Sequence, residues 1–517
     1  MLEDSPLFAM TACGRLIQCG GTGADCGAIA CFFLLAGCLQ TWVLAQPVSQ
    51  PRASNNDETT EQFRAIDITH NALSLDVDFQ HQRIVAHCET TFQAHTAGRG
   101  HFDLKPPIQR YRIGRSGAWI EGSPSIVRLP RHPSKQTWLS PPHVFEPGRT
   151  YTMQLEYYLD AKSTARCRFE SAFVPTGSTS KLISAVQFLK KAPPGASVPQ
   201  DQLDFLMAVM DYDSRTYRTD GRTFLERYLP SSLEGDLHSA SITVRLPAEQ
   251  LEDHLLLGNG DVENVLTTDD TLVGYRIHYP AHSTCSSIYF HLLPRDRYYL
   301  TEQEISPRNQ APIPLRVYST RAAGKRFHDQ SASLARKYFQ ELVNEIGFYP
   351  HPEFLAHLYP RSGGMEYSGA TSCNPASLRH ELMHSWFGRG VLPEDGNAGW
   401  IDEAVTSWWI DGGARTYQQL PSLAAQQRKI RGPLVQIGRY LRMTNRGSYR
   451  QGAELIRILA TLFEQNDQSL KLVLIGFLEN HMHQTINTSD LLEHLQTALP
   501  GKAEVIEQLF ARFVYHL

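Results

Sequence analysis

Two histidines four residues apart bracket a glutamate in the run His380-Glu381-Leu382-Met383-His384. Residues four apart on a helix share a face, so both imidazoles can reach one tetrahedral Zn²⁺ at about 2.0 to 2.1 Å. Asn374-Pro375 upstream is a suitable helix start and Gly388 and Gly390 are suitable stops, so the spacing predicts a helix here. A zinc that does chemistry needs a third protein ligand and one open place. Glu403, 19 residues after His384, supplies a carboxylate from Trp400-Ile401-Asp402-Glu403-Ala404. Apolar positions 401, 404, 405 and 408 have helical spacing up to Gly412-Gly413, so Glu403 projects from a neighbouring helix. Glu381 then stands beside the attacking water, placed to take its proton and pass it to a leaving amine. The chemistry is metal-assisted hydrolysis of an amide. Residue frequencies alone produce HExxH in about one chain in twenty to thirty of this length and histidine content, so the third ligand carries much of the argument.

The elements that must position these groups fall into two regions. At 517 residues the chain is long enough for two to four domains of about 100 to 200 residues. With 49 Lys+Arg against 53 Asp+Glu and no long basic block, the formal charge of −4 argues against nucleic acid as a partner. Hydrophobic residues at 42% and charged residues at 20% exclude wholesale disorder and a multi-span membrane protein. From 61 to 304 the apolar residues alternate, as in Leu73-Ser-Leu75-Asp-Val77 and Met153-Gln-Leu155-Glu-Tyr157, which predicts antiparallel sheets in a saddle or sandwich. A second domain is expected from 305 to 517, and after Ile313-Pro-Leu315-Arg-Val317 the period becomes helical. Leu334, Tyr338 and Leu342 step by four, with Phe339, Val343 and Ile346 widening the stripe before Gly347. A strand is expected around Phe354 to Tyr359, then mostly helices.

At the amino end, the apolar run Ala28 to Ala45 precedes a polar linker at 46–60 and reads as an export signal. Three outcomes are open: cleavage after Ala45, lipidation at Cys38 within Leu35-Ala36-Gly37-Cys38, or a retained membrane anchor. Cys88, Cys167, Cys285 and Cys373 lack CxxC spacing and read as buried free thiols ahead of disulfides.

These motifs resemble the aminopeptidase N-like gluzincin metallopeptidases. HELMHSW followed by a glutamate after 18 residues is similar to their zinc signature, and Gly363-Gly364-Met365-Glu366-Tyr367 to their GxMEN segment. The resemblance implies a β-rich saddle domain before a thermolysin-like catalytic domain. It also implies one zinc and peptide substrates with a free amino terminus. In that family the GxMEN segment is an edge strand that binds the peptide, so Gly363, Gly364 and Met365 would bind substrate and Glu366 would hold its α-amine. Tyr449-Arg450-Gln451-Gly452 resembles the family's YxKG segment, which would make Tyr449 the donor to the oxyanion. From residue type alone, Tyr449 does not stand out from Tyr440 or Tyr417.

Several departures from the family pattern are legible. Thirteen residues separate Glu366 from His380, fewer than is usual, and Tyr367-Ser368 stand where Asn and Pro are common. A second amine-binding residue has only Asp220 and Glu226 as candidates. Where relatives keep a carboxylate to orient a zinc histidine, this chain has Ile410, with Asp411 beside it. The large helical carboxy-terminal domain of many relatives is not expected, which leaves a more open cleft. The leading expectation is an exported or membrane-tethered zinc aminopeptidase. The alternatives are a zinc endopeptidase or other hydrolase without amine anchoring, and a catalytically silent peptide-binding surface protein. Free and acetylated aminoacyl amides separate the first two. His70, His87, His101 and the tryptophans 386, 400, 408 and 409 read as surface or packing residues, with Trp386 a candidate wall of the site, and Asn487 as a helix cap.

Overall fold

A computed structural model describes residues 66–159 and 217–517 apart from short connecting segments. The export segment 1–45, the linker 46–60, His101, Cys167, Asp220, Glu226, Gly412, Gly413 and Tyr440 lie outside the described residues.

The amino-terminal half is built on an eight-stranded sheet. Its order is Asp261–Leu266, Leu272–Ser283, His238–Arg245, Ile66–Asp78, Arg83–Ala94, Thr150–Tyr158, Ile108–Arg115 and Ala118–Glu121. Alternation drives one face inward: Leu73, Leu75 and Val77 pack with Met153, Leu155 and Tyr157 in one core. The alternation slips phase between Ile68 and Leu73, because a register shift between Ile68 and His70 inserts an extra residue. That shift turns Asn71 inward, where Thr90 Oγ1 donates to it at 2.7 Å and its own Nδ2 reaches the Pro230 carbonyl at 3.3 Å. One pairing corrects the expectation of purely antiparallel sheets. Ile66–Asp78 runs parallel to His238–Arg245, since the chain leaves the sheet after Thr150–Tyr158 and returns by a long crossover beside its first strand.

The second half has a five-stranded sheet ordered Tyr298–Ile305, Ile313–Thr320, Phe354–Leu358, Ala370–Cys373 and Glu366–Tyr367. This sheet begins at Tyr298, ahead of position 305, and its strand Ile313–Thr320 precedes the long helix that follows. The long helix Lys325–Ile346 covers it with Ala335, Phe339, Leu342, Val343 and Ile346 buried, while Leu334 and Tyr338 sit at the margin of the stripe. Helices Trp400–Ile410, Ala453–Glu464, Leu470–Asn480, Thr488–Ala498 and Ala503–Phe510 complete the same core. Asn487 caps its helix as expected, accepting from the Ser489 and Asp490 amides. Among the described residues no helix is long and apolar enough to cross a membrane. Cys88, Cys285 and Cys373 are buried.

The two halves join through apolar and polar contacts. Leu257, Tyr289 and Leu293 pack with Tyr318, Leu355 and Tyr367. Beside them the His282 and His483 rings stack with centroids 4.0 Å apart, and His351 lies 6.0 Å from His483. Burial, reinforced by neighbouring His483, pushes the His351 imidazole down to about 3, while its Nε2 donates to the Ser385 carbonyl at 2.9 Å. The folded value lies below the ordinary 6.5, so between the two the unfolded chain binds the extra proton. Stability is therefore complete above pH 6.5 and declines as pH falls toward 3. Urea unfolding at pH 7 and pH 5 should differ by about 2 kcal/mol on account of this residue. His351→Gln, which keeps a donor for Ser385, should flatten that difference. An unchanged slope would assign the acid sensitivity elsewhere.

Candidate active site

The helix that carries His380 and His384 is shorter than its flanking residues suggest. It spans Leu378–Met383, with His384 as its cap, because Asn374 spends its side chain on the Ala376 and Ser377 amides in a preceding turn. His384 still has helical backbone angles, and its amide reaches the His380 carbonyl at 3.3 Å, so the four-residue spacing keeps both imidazoles on one side. The helix Trp400–Ile410 packs alongside and brings Glu403 between them.

The three ligand atoms converge. His380 Nε2 lies 3.1 Å from His384 Nε2 and 3.1 Å from Glu403 Oε2, and His384 Nε2 lies 3.4 Å from the same oxygen. Ligands about 2.0 to 2.1 Å from a tetrahedral zinc stand about 3.3 Å from one another, so this triangle fits the ion. The donor chemistry agrees. His384 Nδ1 donates to the Phe387 carbonyl at 3.0 Å, which leaves the lone pair on Nε2 facing a second imidazole and a carboxylate. Burial opposes charge at Glu403, but adjacent His384 and the hydrogen bonds from both histidines hold its carboxyl well below the usual range. Burial likewise opposes charge at His384, yet the negative charges of Glu403 and Glu366 push it up to about 10. A cation in the triangle would displace that proton.

Asp411 pairs with Arg457 at 2.9 Å and leaves the site alone. His384 is oriented instead by the Phe387 carbonyl and by Thr406 Oγ1 at 3.4 Å, from one turn past Glu403 on the same helix. The spacing of Thr406 from Glu403 is the signal that would have found it.

Glu381 is buried, and its carboxylate lies against Gly364. A Cβ built on Gly364 would come within 2.1 Å of Glu381 Oε1 and 2.5 Å of Cδ, so only glycine allows this approach. Gly364→Ala must therefore push the Glu381 carboxylate aside. We expect kcat to fall by about 10- to 100-fold with zinc content unchanged, measured by steady-state kinetics and metal analysis on the same preparation. Equal rates would mean that Glu381 is not the proton carrier.

Gly363 and Gly364 are exposed, Met365 is half-buried and Glu366 is buried, so the segment forms a rim with one carboxylate turned inward. The strand Glu366–Tyr367 is the edge of its sheet. Met365 and Ser372 exchange backbone hydrogen bonds at 3.1 and 3.0 Å, and the Asn374 amide holds the Gly363 carbonyl at 3.0 Å. The amino-terminal half clamps the other side. Asn259 Nδ2 donates to the Ser287 and Ser368 carbonyls at 2.7 and 2.6 Å.

Tyr449 lies on a single π-helical turn, Ser448–Gly452, that leads into the helix Ala453–Glu464. Its hydroxyl donates to Glu403 Oε1 at 2.5 Å, and its ring lies nearly parallel to that of His380 with centroids 6.1 Å apart. Burial and the Glu403 charge hold this phenol far above its usual range, so it stays a donor. Tyr417 is engaged elsewhere, on Glu454. Trp386 is fully buried, with Nε1 on the Phe348 carbonyl at 2.8 Å, so it belongs to the core and not to the wall of the site.

No family profile and no curated protein matches the sequence. Solved structures do match. The chain superposes on an M1 zinc metallopeptidase from Deinococcus radiodurans with a TM-score of 0.58 and 16% identity, over 88% of this chain and 95% of that one. It has the fold of a two-domain M1 zinc metallopeptidase. A mutant of the Deinococcus enzyme bound to a Tyr-Ser-Ala substrate matches with a TM-score of 0.57 at 16% identity, over 88% and 95% of the two chains. A two-domain M1 mutant bound to L-arginine matches with a TM-score of 0.57 at 15% identity, over 86% and 94%.

Proposed function

We propose that this protein is an exported zinc-dependent aminopeptidase, which hydrolyses peptides one residue at a time from the amino terminus. The observation that carries the reading is the convergence of His380, His384 and Glu403 within 3.4 Å on one triangle that also borders Glu366. Zinc, when bound there, would lower the pKa of a water and polarise the scissile carbonyl. Glu381 takes the proton from the attacking water and hands it to the departing amine. Tyr449 turns its O–H from Glu403 toward the oxygen on which negative charge develops. The rim Gly363 to Met365 aligns the peptide backbone beside buried Glu366. The apolar run Ala28 to Ala45 supports export.

The test is product analysis. The zinc-loaded protein, incubated with a decapeptide bearing a free amino terminus, should release free amino acids in sequence order, followed by mass spectrometry. Internal fragments without stepwise shortening would replace this reading with that of an endopeptidase.

A further inference from the structure

Arg389 occupies a position that the metal chemistry does not explain. It is 1% exposed, in the turn after the motif helix. Gly388, at φ +114°, reverses the chain there; a Cβ on it would come within 3.3 Å of both Asp402 and His384 Nδ1. Arg389 Nη2 donates to Glu366 Oε1 at 3.0 Å, and Nη1 donates to Ser286 Oγ at 3.1 Å. Ser286 belongs to the buried turn Thr284 to Ser287 of the amino-terminal half, whose Ser287 carbonyl also accepts from the Ser368 amide at 3.1 Å. Glu366, His384 and Asp402 bring ligand atoms within 4.8 Å of one another, so whatever meets Glu366 stands beside the metal triangle. A buried guanidinium requires a carboxylate, and Glu366 is the one it holds.

We propose that Arg389 sets the substrate class of this site: by neutralising Glu366 it removes charge selection for a free α-ammonium, so aminoacyl amides with a neutral, acylated nitrogen are accepted beside free ones. This rests on the reading of the cleft given above, and under it the acetylated amide no longer separates an exopeptidase from an endopeptidase, whereas the products from the decapeptide do. An ammonium approaching a bare buried carboxylate gains the whole attraction. An ammonium approaching the Glu366–Arg389 pair meets a carboxylate already neutralised and a guanidinium close enough to repel it. The peptide is then positioned by fit against the rim Gly363 to Met365 and not by charge. Arg389 acts through Glu366 and is a positioning residue.

The experiment is titration calorimetry of zinc-loaded protein with leucine hydroxamate and N-acetyl-leucine hydroxamate, with kcat/KM for the matching p-nitroanilides in parallel. Wild type should bind the two hydroxamates within about 5-fold of each other. Arg389→Gln should favour the free amine by about 10- to 100-fold, Arg389→Lys should restore the wild-type ratio, and Arg389→Gln with Glu366→Gln should cancel the gain. Ser286→Ala, which loosens the turn but leaves the charge pair, should leave the ratio unchanged. A merely structural role would weaken both ligands together. Should Arg389→Gln fail to fold, Glu366→Gln alone reads the same pair, since the unneutralised guanidinium should then favour the acetylated ligand by about 10-fold. Rejection of the acetylated ligand by wild type beyond about 100-fold would overturn the proposal. So would a ratio that none of these charge changes moves. Near-equal binding without turnover of either anilide would sink the hydrolase reading and leave the proposal standing.

Discussion

Glu381→Gln should lower kcat of the zinc-loaded protein by about 100- to 10,000-fold, the range that a positioned general base contributes, and leave its zinc content at the wild-type level. Glutamine has nearly the shape of glutamate, so it still fits against Gly364, where an added methyl would not. It cannot accept a proton from water. His380, His384 and Glu403 keep their triangle, because its three atoms meet one another directly. KM should move little, since the amide still fills the same space beside the substrate. Steady-state kinetics with metal analysis decides the matter, and comparable turnover in the two proteins would dismiss Glu381 as the proton carrier.

The second large effect is on the metal itself. Glu403→Ala should reduce zinc affinity by more than the about 10- to 100-fold that loss of an outer partner costs, and turnover should fall with the bound fraction. Two imidazoles are too few for a stable site, and the change removes the carboxylate whose Oε2 lies 3.1 and 3.4 Å from them. It also strips Tyr449 of the oxygen its hydroxyl holds. Thr406→Val is the milder comparison. It removes only a 3.4 Å contact to His384 Nδ1, which keeps its stronger bond to the Phe387 carbonyl. Zinc retained by Glu403→Ala at one equivalent after dialysis against a competing chelator would mean that the ion is held elsewhere.

Much of the site was legible because its central pattern is local. His380 and His384 lie one helical turn apart, and so does Glu403 from Thr406. The edge position of Glu366–Tyr367, the π turn at Tyr449 and the cap at Asn487 match short motifs whose geometry is closed within a few residues. The parallel neighbour of Ile66–Asp78 was not legible, because alternation records which face is buried and not which strand lies alongside. Arg389 offered a weaker clue. A single cation in the run Trp386-Phe387-Gly388-Arg389-Gly390-Val391 must either reach solvent or find a carboxylate, but nothing nearby in the chain names Glu366 as the partner.

The amino-acid order by itself singled out His380, His384 and Glu403 as candidates to bind an ion and Glu381 as a candidate to carry a proton, and it marked the change from alternating to helical period. Those properties follow from residue chemistry and from the fixed periods of helix and strand. Only the tertiary structure decided that Glu403 meets the two imidazoles, that Tyr449 reaches Glu403, and that a turn from the amino-terminal half holds Arg389 against Glu366. Each of these is a contact between distant segments. Its formation depends on how apolar faces pack, a property of the assembled core that no short window of sequence contains.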